Sequence, residues 1–126
     1  MKGGIIISFN VIFYETVDGK SPAKEFLDSQ NSKMRKKIDR NLEMLKELGT
    51  KSRMPLSEHL KDGIFQLRSQ VGNDISRVLY FFYVGQDIVI TNGFTKKTQT
   101  TPPNEIETAK KYRDDYFERM GKNDNV

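Results

Sequence analysis

The chain has no cysteine and a single histidine among its 126 residues. Without cysteine there are no disulfides, no thiolate chemistry and no Cys-based metal site, a composition compatible with a reducing cytosol. One histidine, His59, cannot form the two-imidazole acid/base pair that many metal-independent ribonucleases use. It falls in a stretch read as a connector, where a solvated or locally bonded side chain is the expectation. His, Asp and Glu show no metal-ligand spacing, so no metal and no other cofactor is expected. Nothing approaches the roughly 18 consecutive apolar residues of a membrane span. The Ile5-Ile6-Ile7 run is too short for a signal-peptide core. A soluble, cytoplasmic protein without a membrane partner is expected.

The composition supports an ordered fold. Charged residues make up 30%, yet aromatics reach 10%, and the hydrophobic fraction of 36% is sufficient for a core. The length suits one domain over residues 1–126, with 122–126 as a loose tail. Lys and Arg exceed Asp and Glu by 21 to 17, a net charge of +4. That sign alone favours a nucleic-acid or acidic partner only weakly.

Residues Ile5 to Tyr14 are rich in Ile, Val and Phe and predict a strand, followed by turn chemistry at Val17-Asp18-Gly19-Lys20. Ser21-Pro22 predicts an N-cap and first helical position for a short helix carrying Phe26 and Leu27. Ser32 is expected to cap a longer helix. Its apolar residues Met34, Ile38, Leu42, Leu45 and Leu48 recur at spacings of four, four, three and three before Gly49. Residues 50–62 read as a connecting segment. Strands are then predicted over Ile64 to Gln70, Ile75 to Val84 and Ile88 to Thr95, joined by turns at Gly72-Asn73-Asp74 and Gly85-Gln86-Asp87. The run Val78 to Val84 lacks alternation, as suits a central strand covered on both faces. A last helix from Thr101 or Pro102 places Ile106, Ala109, Tyr112, Tyr116 and Met120 on one stripe. The expected fold class is α+β: a small antiparallel sheet in the order β-α-α-β-β-β-α, with helices packed on it.

Arg68 and Arg77 flank a tight turn at near-opposite positions on paired strands, so their guanidinium groups can converge on one phosphate. An arginine fork stays charged and grips phosphate oxygens in pairs, which suits a pentacoordinate transition state. A cross-strand surface pair, or salt bridges to Asp74 or Asp87, is the plainer alternative. Lys96 and Lys97 end the last strand. Adjacent ammonium groups disfavour each other's charge and can lower one pKa toward a general base; lysines also protect strand edges. Phe94 and Tyr83 offer ring faces for unpaired bases, against the alternative of core packing. Tyr116, on the core-facing stripe, has a hydroxyl that can still reach a site. Lys33, Arg35, Lys36, Lys37 and Arg40 form a basic helix face, open to solvent, RNA or an acidic partner.

The order Gln66-Leu67-Arg68, Arg77-Val78-Leu79-Tyr80 and Gly93-Phe94-Thr95-Lys96-Lys97-Thr98 resembles the RelE/ParE toxin superfamily. The similarity is greatest to its HigB-like, phage-derived branch. Phe13-Tyr14, Ser21-Pro22, Phe26-Leu27 and His59-Leu60-Lys61-Asp62-Gly63 extend the resemblance over nearly the whole chain. It implies a RelE-like fold and a type II toxin: a ribosome-dependent endoribonuclease, or mRNA interferase, cutting mRNA in the ribosomal A site and inhibiting translation. It further implies a HigA-like helix-turn-helix antitoxin as partner in a hetero-oligomer, with ribosome and mRNA as targets. By family pattern Arg68, Arg77, Lys96 and Lys97 take the catalytic or phosphate-binding positions; Phe94, Tyr83, Tyr116, Lys61, Lys36 and Lys37 are RNA-binding candidates. Relatives commonly carry an acidic residue where this chain has Gln66. The rival reading is a toxin of the same fold that binds a ribosomal or gyrase target without cutting.

Overall fold

A computed structural model describes residues 8–95 and 101–124, the last three of these by backbone alone. Its elements are β1 (Asn10–Phe13), α1 (Pro22–Asp28), α2 (Ser32–Leu48), β2 (Ser57–Lys61), β3 (Ile64–Val71), β4 (Asp74–Tyr83), β5 (Asp87–Thr95) and α3 (Pro103–Asp124), with one 3-10 turn at Gly49–Lys51. The class is α+β, as expected, and the sheet has five strands in the order β1-β5-β4-β3-β2.

The sheet departs from the expected one in two ways. It is mixed, because β1 runs parallel to β5 with Val11 opposite Ile88 and Phe13 opposite Ile90. The chain between them supplies helices and hairpins long enough for a parallel return. The second departure is β2, which occupies part of the segment read as a connector and pairs antiparallel with β3. Its sequence, Ser57-Glu58-His59-Leu60-Lys61, is polar because it is an edge strand, so it carries no apolar alternation.

The helices begin where cap chemistry places them. Ser21 accepts from the Lys24 N–H and Pro22 opens α1. For α2 the cap is Asn31, one residue earlier than Ser32, with its Oδ1 2.9 Å from the Met34 nitrogen. Gly49 ends that helix at φ 53°. Met34, Ile38, Leu42 and Leu45 are buried as expected, whereas Leu48, the last residue of the helix, is 39% exposed. Helix α3 continues through residues 122–124, where a loose tail was expected; 125 and 126 lie outside the described residues.

Strand β4 is central and divides two cores. Val78 and Tyr80 join Leu67, Ile88 and Ile90 beneath α1 and α2. Leu79 and Phe81 join Ile64, Val89, Phe94, Ala109 and Tyr116 beneath α3. Between Val78 and Tyr80 the pairing with β5 shifts, so Thr91 and Asn92 both stand opposite Leu79. This bulge turns Phe94 onto the α3 face.

Two outcomes follow. A Cβ at Gly93 would collide with the Phe26 ring of α1. Gly93→Ala is therefore expected to cost about 1–3 kcal/mol, read as a lower urea midpoint at unchanged slope, with part recovered in combination with Phe26→Leu. Second, the Tyr14 hydroxyl donates to Asp115 of α3 at 2.7 Å. Burial, then that bond, pushes its pKa from 10.0 up to about 12. The folded state thus holds this proton more tightly than the unfolded chain, so stability intact below pH 10 should fall between pH 10 and about 12. Denaturation at stepped alkaline pH measures the fall, and Asp115→Asn should reduce it.

Candidate functional site

The antiparallel register of β3 and β4 places Arg68 directly opposite Arg77. Directly paired residues share a face, so both side chains emerge on the α3 side, where Phe94 is the partner of Arg77 on β5. Gln66 precedes Arg68 by two residues on the same face and pairs with Glu58 of β2. The Gln66 amide is 4% exposed and bonded at both ends: its Nε2 donates to Glu58 Oε2 at 3.1 Å, and its Oε1 accepts from the Thr101 hydroxyl at 2.6 Å. The entry to α3 is thereby tied to β3 beside the arginines. Asn92 adds a second tie, donating from Nδ2 to Glu105 Oε1 at 3.2 Å.

Electrostatically the pair is tense. Arg77 is 1% exposed, and its guanidinium pKa is held below the ordinary value first by burial and then by the charge of Arg68; Glu58 acts in the opposite sense. Arg68 is half-buried and has no carboxylate partner among the described residues, so the alternative of salt bridges to Asp74 or Asp87 fails for it. Like charges directly opposite one another on paired strands disfavour folding.

The remaining expected residues are distributed as follows. Lys96 and Lys97 lie outside the described residues. Phe94 is 7% exposed and its ring packs in the core beneath α3. Tyr83 and Tyr116 are in contact with each other at 5.2 Å between ring centres, with Phe117 against Tyr83 at 5.4 Å. They stand apart from the arginines: Tyr83 is six residues from Arg77 along β4, about 20 Å at the usual strand rise. Lys61 is exposed at the β2–β3 turn, beyond Gln66 from Arg68. Lys36 and Lys37 are on α2, across the sheet, where Lys37 but not Lys36 lines a cleft of about 490 Å³ that Arg68 also lines. His59 is bonded locally, accepting from the Gly63 N–H at 3.2 Å, and packs edge-on against Phe65.

Glu58 and Thr101 went unnoticed in the sequence as site residues. Glu58 sat in a segment read as connector, and Thr101 was read only as a helix entry. Among the described residues no group of His, Asp and Glu is arranged to hold a metal ion, and no helix is long and apolar enough to cross a membrane.

A family model described as phage derived protein Gp49-like (DUF891) matches residues 25–114. The chain belongs to that family. Gp49-like proteins fall in the toxin–antitoxin toxin group of RelE-like proteins. The matched span contains Glu58, Gln66, Arg68, Arg77, Phe94 and Thr101, so the whole arginine cluster lies inside the Gp49-like region. No curated protein matches the chain.

Inorganic phosphate is expected to relieve the repulsion between the two forks and raise the thermal midpoint. At about 100 times its dissociation constant the gain is about 2.7 kcal/mol. Arg68→Ala should lose most of that gain in differential scanning fluorimetry, while chloride at matched ionic strength should give none.

Proposed function

We propose that this Gp49-like chain is the toxin of a type II toxin–antitoxin system and acts as a ribosome-dependent endoribonuclease of the HigB-like kind. The observation that carries the reading is the placement of Arg68 opposite Arg77 on one face of a rigid sheet. Two guanidinium groups so placed match the non-bridging oxygens of a phosphodiester.

The reaction proposed is attack of an RNA 2′-oxygen on the adjacent phosphorus. A bond forms to the 2′-oxygen and the bond to the 5′-oxygen breaks, giving a 2′,3′-cyclic phosphate and a 5′-hydroxyl. Arg68 and Arg77 hold the two non-bridging oxygens as charge builds on them, a contribution that grows toward the transition state. Lys96 or Lys97 takes the 2′-hydroxyl proton, and a proton from water completes the 5′-hydroxyl as the 5′-oxygen leaves. Glu58 tempers the repulsion between the arginines, and Gln66 fixes Thr101 and the start of α3 beside them. His59 accepts from the Gly63 N–H and carries no acid/base role in this reading. Alignment of the mRNA by the ribosome supplies much of the rate, so purified protein cuts free RNA slowly. A HigA-like antitoxin is the proposed partner that holds the toxin inactive in a hetero-oligomer in the cytoplasm.

Induction of the wild-type chain should arrest growth and generate new mRNA 5′ ends at codons. Arg77→Ala should remove both, in line with the loss of about 10²–10³ in rate when one oxyanion-stabilising donor is deleted. Growth arrest with intact transcripts would sink the cutting reading in favour of a blocker of the ribosome or gyrase.

A further inference from the structure

The two edges of the sheet are built differently. Strand β2 exposes Glu58, His59 and Lys61 along its length, polar chemistry that discourages a further strand. Strand β1, at the other edge, carries no charge and no proline: Val11, Ile12 and Phe13 are apolar and half-buried. Among the described residues its one neighbour is β5. The N–H groups of Asn10 and Tyr14 donate to the Gln86 and Ile90 carbonyls at 2.7 and 2.9 Å. Backbone groups alternate along a strand, so Val11 and Phe13 direct theirs to the open side. Both ends of that open stretch are closed: the Phe9 N–H is taken by the Lys46 carbonyl at 2.8 Å, and Arg119 donates to the Glu15 carbonyl. A groove flanks β1 on each face, about 320 Å³ against α2 with Val11 and Phe13 in its wall, and about 300 Å³ against α3 with Ile12. Their charged residues balance, with Arg35, Lys46 and Arg119 against Asp39, Glu43 and Glu15. Each of these cations already has a carboxylate within the chain, at 2.9, 3.4 and 2.7 Å respectively.

We propose that β1 is a self-association edge, pairing antiparallel with β1 of a second copy of this chain about a twofold axis through Ile12. Charge complementarity favours that occupant. A balanced rim whose cations are already paired gains nothing from an acidic or a basic segment, and it matches a strand as apolar and uncharged as β1 itself. The register follows from the open groups. Val11 of one copy stands opposite Phe13 of the other and exchanges both N–H···O=C bonds with it; the twofold repeats the exchange, so the N–H and C=O of both residues are satisfied in each copy. A slip by two residues would set Val11 or Phe13 against Glu15 or Phe9, whose carbonyl and N–H are already engaged. The favoured register also sets a β-branched side chain beside an aromatic one and Ile12 against Ile12. Directly opposed residues share a face, so both copies turn their α3 sides the same way. Strands β4 and β3 lie second and third in from the joined edge, and the contact leaves Arg68 and Arg77 of each copy uncovered on one common face.

The test is analytical ultracentrifugation of the full chain from about 1 μM to about 1 mM, because a contact this short belongs at the weak end of specific interfaces. The mass should double across that range. In the same samples, amide exchange read by NMR should slow about ten-fold or more at Val11 and Phe13 as the dimer forms. Ile12→Lys and Ile12→Glu should each stay monomeric, since like charges then stand directly opposed, and an equimolar mixture of the two should restore the doubled mass. Misfolded chains would not give that restoration. Should neither variant fold, the exchange data on the wild-type chain decide alone. A wild-type chain that stays monomeric throughout overturns the proposal, and protected Val11 and Phe13 amides in such a monomer would assign the edge to another segment of the chain. A dimer whose Val11 and Phe13 amides stay unprotected, or one that survives Ile12→Lys unchanged, overturns it as well, because the contact then lies elsewhere. None of these outcomes depends on whether the arginine pair cuts RNA.

Discussion

The register of β3 against β4 is the constraint on which the rest depends. Side chains alternate between faces with a period of two, so a slip by one residue would send either arginine to the α1–α2 side, among Leu67, Val78 and Tyr80. The two cores forbid that slip. Val78 and Tyr80 must face one set of helices and Leu79 and Phe81 the other, and burial of each such side chain is worth about 1.5–3 kcal/mol. The cost of holding two like charges together is therefore borne by apolar burial on both sides of one strand. Arg77 is the clearest case: a 1% exposed guanidinium is stable in this fold because the strand carrying it is fixed by its neighbours along the chain.

Much of this was legible in the sequence, where the pattern is local. The spacing of Met34, Ile38, Leu42 and Leu45 encodes a helix because residues three and four apart share a face. The turns at Gly72 and Gly85, at φ 61° and 75°, encode hairpins because glycine enters the left-handed region without a steric penalty. With hairpins fixed, Arg68 and Arg77 fall opposite one another by counting out from the turn. Strand β2 was not legible, because an edge strand with one exposed face needs few apolar residues. The parallel pairing of β1 was hidden for another reason. Which edge a terminal strand joins depends on how the intervening helices pack, and no short window of sequence contains that information. The contact between Gln66 and Thr101, 35 residues apart, was invisible on the same ground.

Charge sorting on α2 shows how far helical periodicity carries a functional reading. A run of lysines and arginines looks uniform when read in order, yet neighbours 100° apart meet different surroundings. Arg35 finds two carboxylates, whereas Lys37 turns toward the β3 edge and finds none. Composition counts both as basic. Only the paired one is electrostatically satisfied within the chain, and the other retains its attraction for an anion.

Gln66 shows what an uncharged residue does at such a site. Where an acidic side chain was expected by resemblance, the amide supplies one donor and one acceptor, and both are used. A carboxylate there would still accept from Thr101, but it would face the Glu58 carboxylate without a proton to donate, bringing two negative charges together in a nearly buried position. With glutamine the one negative charge stays on Glu58, at the exposed edge strand, close enough for Arg77 to feel it. Among the described residues, Glu58 is thus the carboxylate that works against the effect of Arg68 on Arg77.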